Sequence, residues 1–180
     1  MVNFTNGGNF MIKHSQLFID SLIHPKKLAA YRLLSIGKTI QYVFILVGII
    51  TVYSFIRFLT GVDNSFFNIE GLTKYIEEIQ WILYPFAFLF LTFTTTILLF
   101  VRISLYAFVG IILLKLFSRR GEYRFMWRTA ALAITWSTLL SIPLSLIDRI
   151  NTLTENIIGI TITIIILIIA SLKYPKLPKK

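Results

Sequence analysis

Ile79–Val101 reads IQWILYPFAFLFLTFTTTILLFV, a run of 23 residues between Glu78 and Arg102 that carries no charge. Roughly 17–25 apolar residues let a helix cross the hydrocarbon of a bilayer. Inside lipid the backbone has no water to bond, so helix is the economical form for such a run. Three more charge-free runs accompany it, Thr39–Ile56, Thr129–Ile147 and Asn156–Leu172. The last is rich in Ile and Thr, which favour strand in water, but the membrane setting overrides that preference. The expected fold is all-α: a polytopic helical membrane protein with about four transmembrane helices at 39–57, 80–117, 129–147 and 156–172. These form one membrane domain over residues 1–180.

Composition points the same way. Hydrophobic residues make up 56% of the 180 and charged residues 14%, against about 25% charged in soluble domains. Mean hydropathy is +0.77. There is no cysteine, which excludes disulfides and thiol chemistry. The net charge of +10 would suit a nucleic-acid partner. The basic residues, however, fall in short clusters between apolar runs, so no nucleic acid is expected.

Topology explains the clusters better. With the N-terminus inside and four crossings, the inner segments 1–38, 115–128 and 173–180 hold 14 of the 18 Lys and Arg residues. The outer segments, 57–78 and 148–155, hold Arg57, Lys74 and Arg149 together with six of the eight acids. Positive charge near span ends marks the cytoplasmic side, so both termini are expected inside. Ile103–Leu114 follows Arg102 with no turn signal between Val101 and Ser104, and a membrane hairpin needs one. A single long helix from 79 to 117, about 58 Å at ~1.5 Å per residue, is therefore favoured over a break at Arg102.

Residues 10–34 read as interfacial helices. Met11, Phe18 and Leu22 share one face with Phe10, Leu17 and Ile19 beside them, and Lys13, His14, Gln16 and Asp20 lie largely on another. Pro25 ends the first piece and starts the next. Gly37 marks the bend into the first span. No apolar leader with a cleavage site is visible in the first 34 residues.

No enzyme motif is present, and no cofactor is expected. His14 and His24 are ten residues apart and read as interfacial polar groups, not as a metal pair. Arg102 is the most informative single residue. A charge inside a membrane is a functional hypothesis by default, whereas at the inner boundary it would only snorkel to headgroups. Thr92, Thr94, Thr95 and Thr96 crowd one span. Thr135, Ser137, Thr138 and Ser141 crowd another, ahead of Pro143, which kinks or ends that helix. Such hydroxyls serve helix–helix contact or line a polar path, with Arg102, Thr95, Thr135 and Thr138 as the candidate intramembrane set. The loop Ser118–Arg128 mixes arginine with Tyr123, Phe125 and Trp127, which suits interface anchors or a docking face.

Two stretches carry a resemblance. The first is Ser21-Leu22-Ile23-His24-Pro25-Lys26-Lys27 with Arg32 and Ile36-Gly37-Lys38-Thr39-Ile40. The second runs from Leu113-Leu114-Lys115 to Tyr123-Arg124-Phe125-Met126-Trp127-Arg128. Together they resemble a family of bacterial membrane proteins of unknown function, some labelled maltodextrin-utilization proteins, and more distantly Yip-type membrane proteins. Members of that family often have a larger outer segment between the first two spans than Arg57–Glu78. The resemblance implies a multi-pass protein of the bacterial plasma membrane associated with sugar uptake. The functional expectation is a non-catalytic accessory or scaffold protein. Its partners would be the lipid bilayer and other membrane proteins such as a carbohydrate transporter, with homo-oligomers allowed. Candidate docking residues are Pro25, Arg32, Gly37, Lys38, Tyr123, Arg124 and Trp127. The alternative is a small-solute transporter or channel subunit built on Arg102 and the Ser/Thr-lined helices.

Overall fold

The computed structural model describes residues 14–66, 72–146 and 151–176, with side chains 61–77 and 152 excepted. Every regular element among these residues is helical. The elements are α1 (His14–Ile23), a 3-10 segment (Pro25–Leu33), α2 (Ile36–Phe66), α3 (Leu72–Leu116), α4 (Tyr123–Ala133), α5 (Thr135–Leu144) and α6 (Thr152–Ser171). Phe10, Met11, Lys13, Asp148 and Arg149 fall outside the described residues, as do 67–71 and 177–180.

Among the described residues three helices are long and apolar enough to cross a membrane: Ile36–Thr60 within α2, Glu78–Leu116 within α3, and Leu153–Ser171 within α6. α3 is one continuous helix through Arg102. Its 45 residues rise roughly 67 Å, about twice the hydrocarbon thickness. Pro85 lies inside it and removes one backbone donor without ending it, a substitution membrane helices tolerate.

The expected span 129–147 is not one helix. It is divided at Ile134 into α4 and α5, of 11 and 10 residues, neither long enough to cross alone. Around this boundary Thr135 Oγ1 bonds the Leu132 carbonyl (2.7 Å) and Ser137 Oγ bonds the Ile134 carbonyl (2.9 Å), while the backbone bonds from Ile134 N–H to the Ala130 carbonyl and from Thr138 N–H to the Ile134 carbonyl (3.0 Å each) run on across it. α5 ends at Leu144, one residue past Pro143, where a proline that kinks or ends the helix was expected.

The core lies along the middle of α4–α5. Thr129 to Thr135 are all fully buried, and α1, α2, α3, α6 and the 3-10 segment all pack around this pair. α3 meets it with a stripe of Leu99, Ile103, Tyr106, Ala107, Gly110 and Leu114, all buried at helical spacing. Gly110 makes the approach possible, because a Cβ there would stand 2.5 Å from Met126 Cγ and Sδ. The N-terminal pieces join this core instead of lying clear of it: Leu17, Leu28, Ala29, Tyr31 and Leu34 are buried in it. The face assignment of α1 changes accordingly. Asp20 is buried with Leu17 and Ser21, while Ile19 and Ile23 are exposed.

Candidate functional site

Two constellations stand out, one at the end of the bundle where α3 turns into α4, the other half-way along α6.

At the first, three remote segments are tied together. α3 ends in a left-handed residue, Ser118 (φ 52°). Arg119 N–H bonds the Leu114 carbonyl (2.8 Å) and Ser118 N–H bonds the Lys115 carbonyl (3.1 Å), the paired bonds that close a helix whose last residue turns left-handed. The turn then receives the segment after α6. Arg120 N–H bonds the Pro175 carbonyl (2.8 Å), and Arg119 Nη1 bonds the Tyr174 carbonyl (2.9 Å). Tyr174 is buried; its hydroxyl meets Thr129 Oγ1 (2.7 Å) and its ring lies 5.2 Å below the Arg32 guanidinium. Burial raises the Tyr174 phenol above its ordinary range, against the pull of Thr129, Arg32 and Arg128. Arg128 Nη1 donates to the Arg32 carbonyl (2.9 Å).

Beside this lock sits a buried carboxylate. Asp20 accepts hydrogen bonds from the Tyr31 hydroxyl and from Lys27 Nζ (2.9 Å), with His24 Nδ1 at 3.2 Å. Burial works to raise its pKa, but the bonds from Tyr31 and Lys27 and the charges of Lys27 and His24 outweigh it, leaving the group below 3.8. Tyr31 is pushed the other way, upward, by burial and by the adjoining carboxylate.

The candidate docking residues therefore divide. Arg32 is half-buried and stacked on Tyr174. Trp127 Nε1 reaches Ser104 Oγ (3.3 Å) and its ring lies 5.9 Å from Phe100. Tyr123 is exposed, with its hydroxyl on the Ser104 carbonyl (3.3 Å). Arg124 is exposed and paired with Glu122 (2.6 Å). Pro25 opens the 3-10 segment; Gly37 stands in open space in the first turn of α2, next to half-buried Lys38. Lys115, Arg120, Lys173 and Lys176, in or next to the segments joined here, present exposed positive charge.

The second constellation centres on Arg102. Its side chain is half-buried, and Nη2 lies 3.4 Å from where a Cβ on Gly159 would stand; Ser137 Cβ is 3.3 Å from that point. The guanidinium lies 5.9 Å from the Tyr106 ring. Gly159 is about 18 Å from the Ser171 end of α6 at ~1.5 Å per residue, so Arg102 reaches well inside the bundle. No carboxylate pairs with it among the described residues. Thr138 Oγ1, on the turn after Thr135, is buried without a partner. Thr135 is spent on Tyr42 (2.7 Å). Thr95 is half-buried on α3, about 10 Å along the axis from Arg102. No contact among the described residues draws these four into one site.

Asp20, Tyr31, Tyr174 and Gly159 were not singled out from the sequence. Asp20 carried a readable signal, being the one acid in residues 1–38 among five basic residues. Tyr174 carried none, because its partners lie in three separate segments. Among the described residues no group of three or more His, Cys, Asp or Glu could hold a metal ion.

The family described as a protein of unknown function, DUF1189, matches residues 67–171. The match takes in α3 to α6 and leaves out α1, the 3-10 segment and α2. No curated protein and no solved structure matches the chain.

Proposed function

The chain belongs to the DUF1189 family of proteins of unknown function, and on that premise we propose that it is a non-catalytic, multi-pass accessory or scaffold protein of the bacterial plasma membrane. α2, α3, the α4–α5 pair and α6 make four crossings with both termini inside. α4 and α5 count as one crossing because the backbone bonds from Ile134 N–H to the Ala130 carbonyl and from Thr138 N–H to the Ile134 carbonyl, 3.0 Å each, carry the ladder across their boundary. Tyr42 meets Thr135 and Tyr53 meets Ser145, so α5 runs alongside α2 in the same direction.

The observation that carries the scaffold reading is the lock at the α3–α4 end. There Arg32, Arg119 and Arg128 are spent internally on holding three segments together. Lys115, Arg120, Arg124, Lys173 and Lys176 stay exposed around them. A rigid layer with a cationic rim suits a cytoplasmic docking face or an anionic lipid surface. The link to carbohydrate uptake is carried by the family resemblance alone. Tagged protein drawn from native membranes in mild detergent should bring down a defined membrane partner, which Lys115→Glu with Arg124→Glu releases and Arg57→Glu does not. Recovery of a lone species, with normal maltodextrin growth of a deletion strain, would count against the reading.

Arg102 favours a second reading. A guanidinium half-way along α6 without a carboxylate partner among the described residues suits an anionic or polar solute path, and four crossings would need oligomerisation to enclose one. Unchanged flux in vesicles carrying Arg102→Ala would remove its support.

A further inference from the structure

α5 and α6 leave a lateral groove of about 280 Å³ lined by Trp136, Leu140, Ile162, Ile165 and Ile166. All five side chains are apolar except for one indole N–H, and that is committed: Trp136 Nε1 donates to the Leu22 carbonyl (2.8 Å). Water would find no partner there.

The Trp136–Leu22 bond joins the groove to the end of α1. Two exposed apolar side chains one turn apart, Ile19 and Ile23, extend the greasy surface along that helix. The chain then turns polar at once. His24 and Lys26 are both exposed and lie within two and four residues of Leu22, a reach of at most ~7 and ~14 Å. The one acid in α1 and the 3-10 segment, Asp20, is buried and already neutralised by Lys27 and Tyr31. Lys26 is thus an exposed cation within reach of the Trp136 end of the groove, with no acid of these two elements exposed beside it.

An open apolar face beside an exposed lysine matches the two parts of a lipid, tail and anionic headgroup. We propose that it binds an anionic phospholipid, with one acyl chain along Trp136 and Ile165 and the phosphate on the His24–Lys26 turn. This requires only that the chain sit in a bilayer and is independent of any protein partner, so its failure would leave the scaffold reading standing.

The test uses the full chain in phosphatidylcholine nanodiscs containing a minor fraction of phosphatidylglycerol with a photoactivatable group on its acyl chain. Labelling mapped by mass spectrometry should concentrate on Leu140, Ile162 and Ile165. Unlabelled phosphatidylglycerol should displace the probe about fivefold better than phosphatidylcholine, the advantage of roughly one basic residue near an anionic headgroup. Lys26→Gln should erase that preference, and Ile165→Trp should remove the label by filling the groove. Label spread evenly over Phe108 and Leu116 on α3, or equal displacement by the two lipids in the wild-type protein, would overturn the proposal without reference to either variant. Loss of label through a second copy of the chain covering the groove would overturn it as well.

Discussion

α3 has two halves that are alike in composition and unlike in company. From Leu99 to Leu114 it buries a regular stripe against α2, α4 and α6. From Glu78 to Leu98 no side chain is buried, and Trp81, Phe86, Leu89, Phe93 and Leu98 are all more than 60% exposed. α2 changes in the same way: Tyr42, Val43, Leu46, Val47 and Thr51 are buried, and nothing from Val52 to Thr60 is. α1, α4 and the end of α6 lie alongside the first of these halves. Greasiness thus decides which solvent a segment prefers, while small residues and helical spacing decide which segments meet protein. Lipid tails are as apolar as leucine, so burial in the packed half gains little transfer energy and rests on fit.

Gly110→Val should expose that difference most strongly. The added carbons run into Met126, and overpacking a tight crossing costs about 1–3 kcal/mol. The matching change in the other half, Ala87→Val, should stay within about 0.5 kcal/mol. Denaturation in mixed micelles compares the two, and equal losses would break the distinction between the halves.

Next in size is Tyr31→Phe, which removes a hydrogen bond to the buried Asp20 carboxylate, an interaction class worth about 1.5–3 kcal/mol. The same carboxylate sets a pH dependence. Its pKa is lower folded than unfolded, so its contribution is complete above the ordinary value of 3.8 and is lost as pH falls through the depressed one. Protease cleavage within α1 should therefore rise in strongly acidic buffer in the wild type and rise less in Asp20→Asn. A flat profile in both would detach Asp20 from the packed half.

Trp127→Phe should cost about 1 kcal/mol by deleting the bond to Ser104 while keeping the ring near Phe100. Thermal unfolding followed by the remaining tryptophans would show it. The smallest effect has the opposite sign. Ser118 holds a left-handed backbone that glycine adopts freely, so Ser118→Gly should raise stability by up to about 1 kcal/mol. A loss there would mean that the serine side chain matters to the turn.

The helical class was legible because charge-free runs of that length have few other uses, and the continuity of α3 followed from the missing turn signal after Val101. The division at Ile134 was not legible. It falls in a run whose hydroxyls, Thr135 and Ser137 among them, occur just as often in unbroken helices. Arg102 announced itself by its charge, but Gly159, the residue that makes room for it, reads like any glycine in a greasy run. The docking candidates were selected by residue type, and type does not reveal that Arg32 and Trp127 already have partners inside the fold. Helical spacing sets Asp20 on a face apart from the apolar residues of α1; Tyr31 and Lys27 hold it inside instead.

The tie between Tyr174 and the α3–α4 turn has a consequence for biosynthesis. Each apolar helix can partition into the bilayer as it leaves the ribosome, but the stitching of Arg32, Arg119 and Thr129 onto Tyr174 must wait until α6 has been made. Until then the earlier helices carry this seam open. A chain halted before Tyr174 would be left unfastened there, and so a ready target for quality-control proteases.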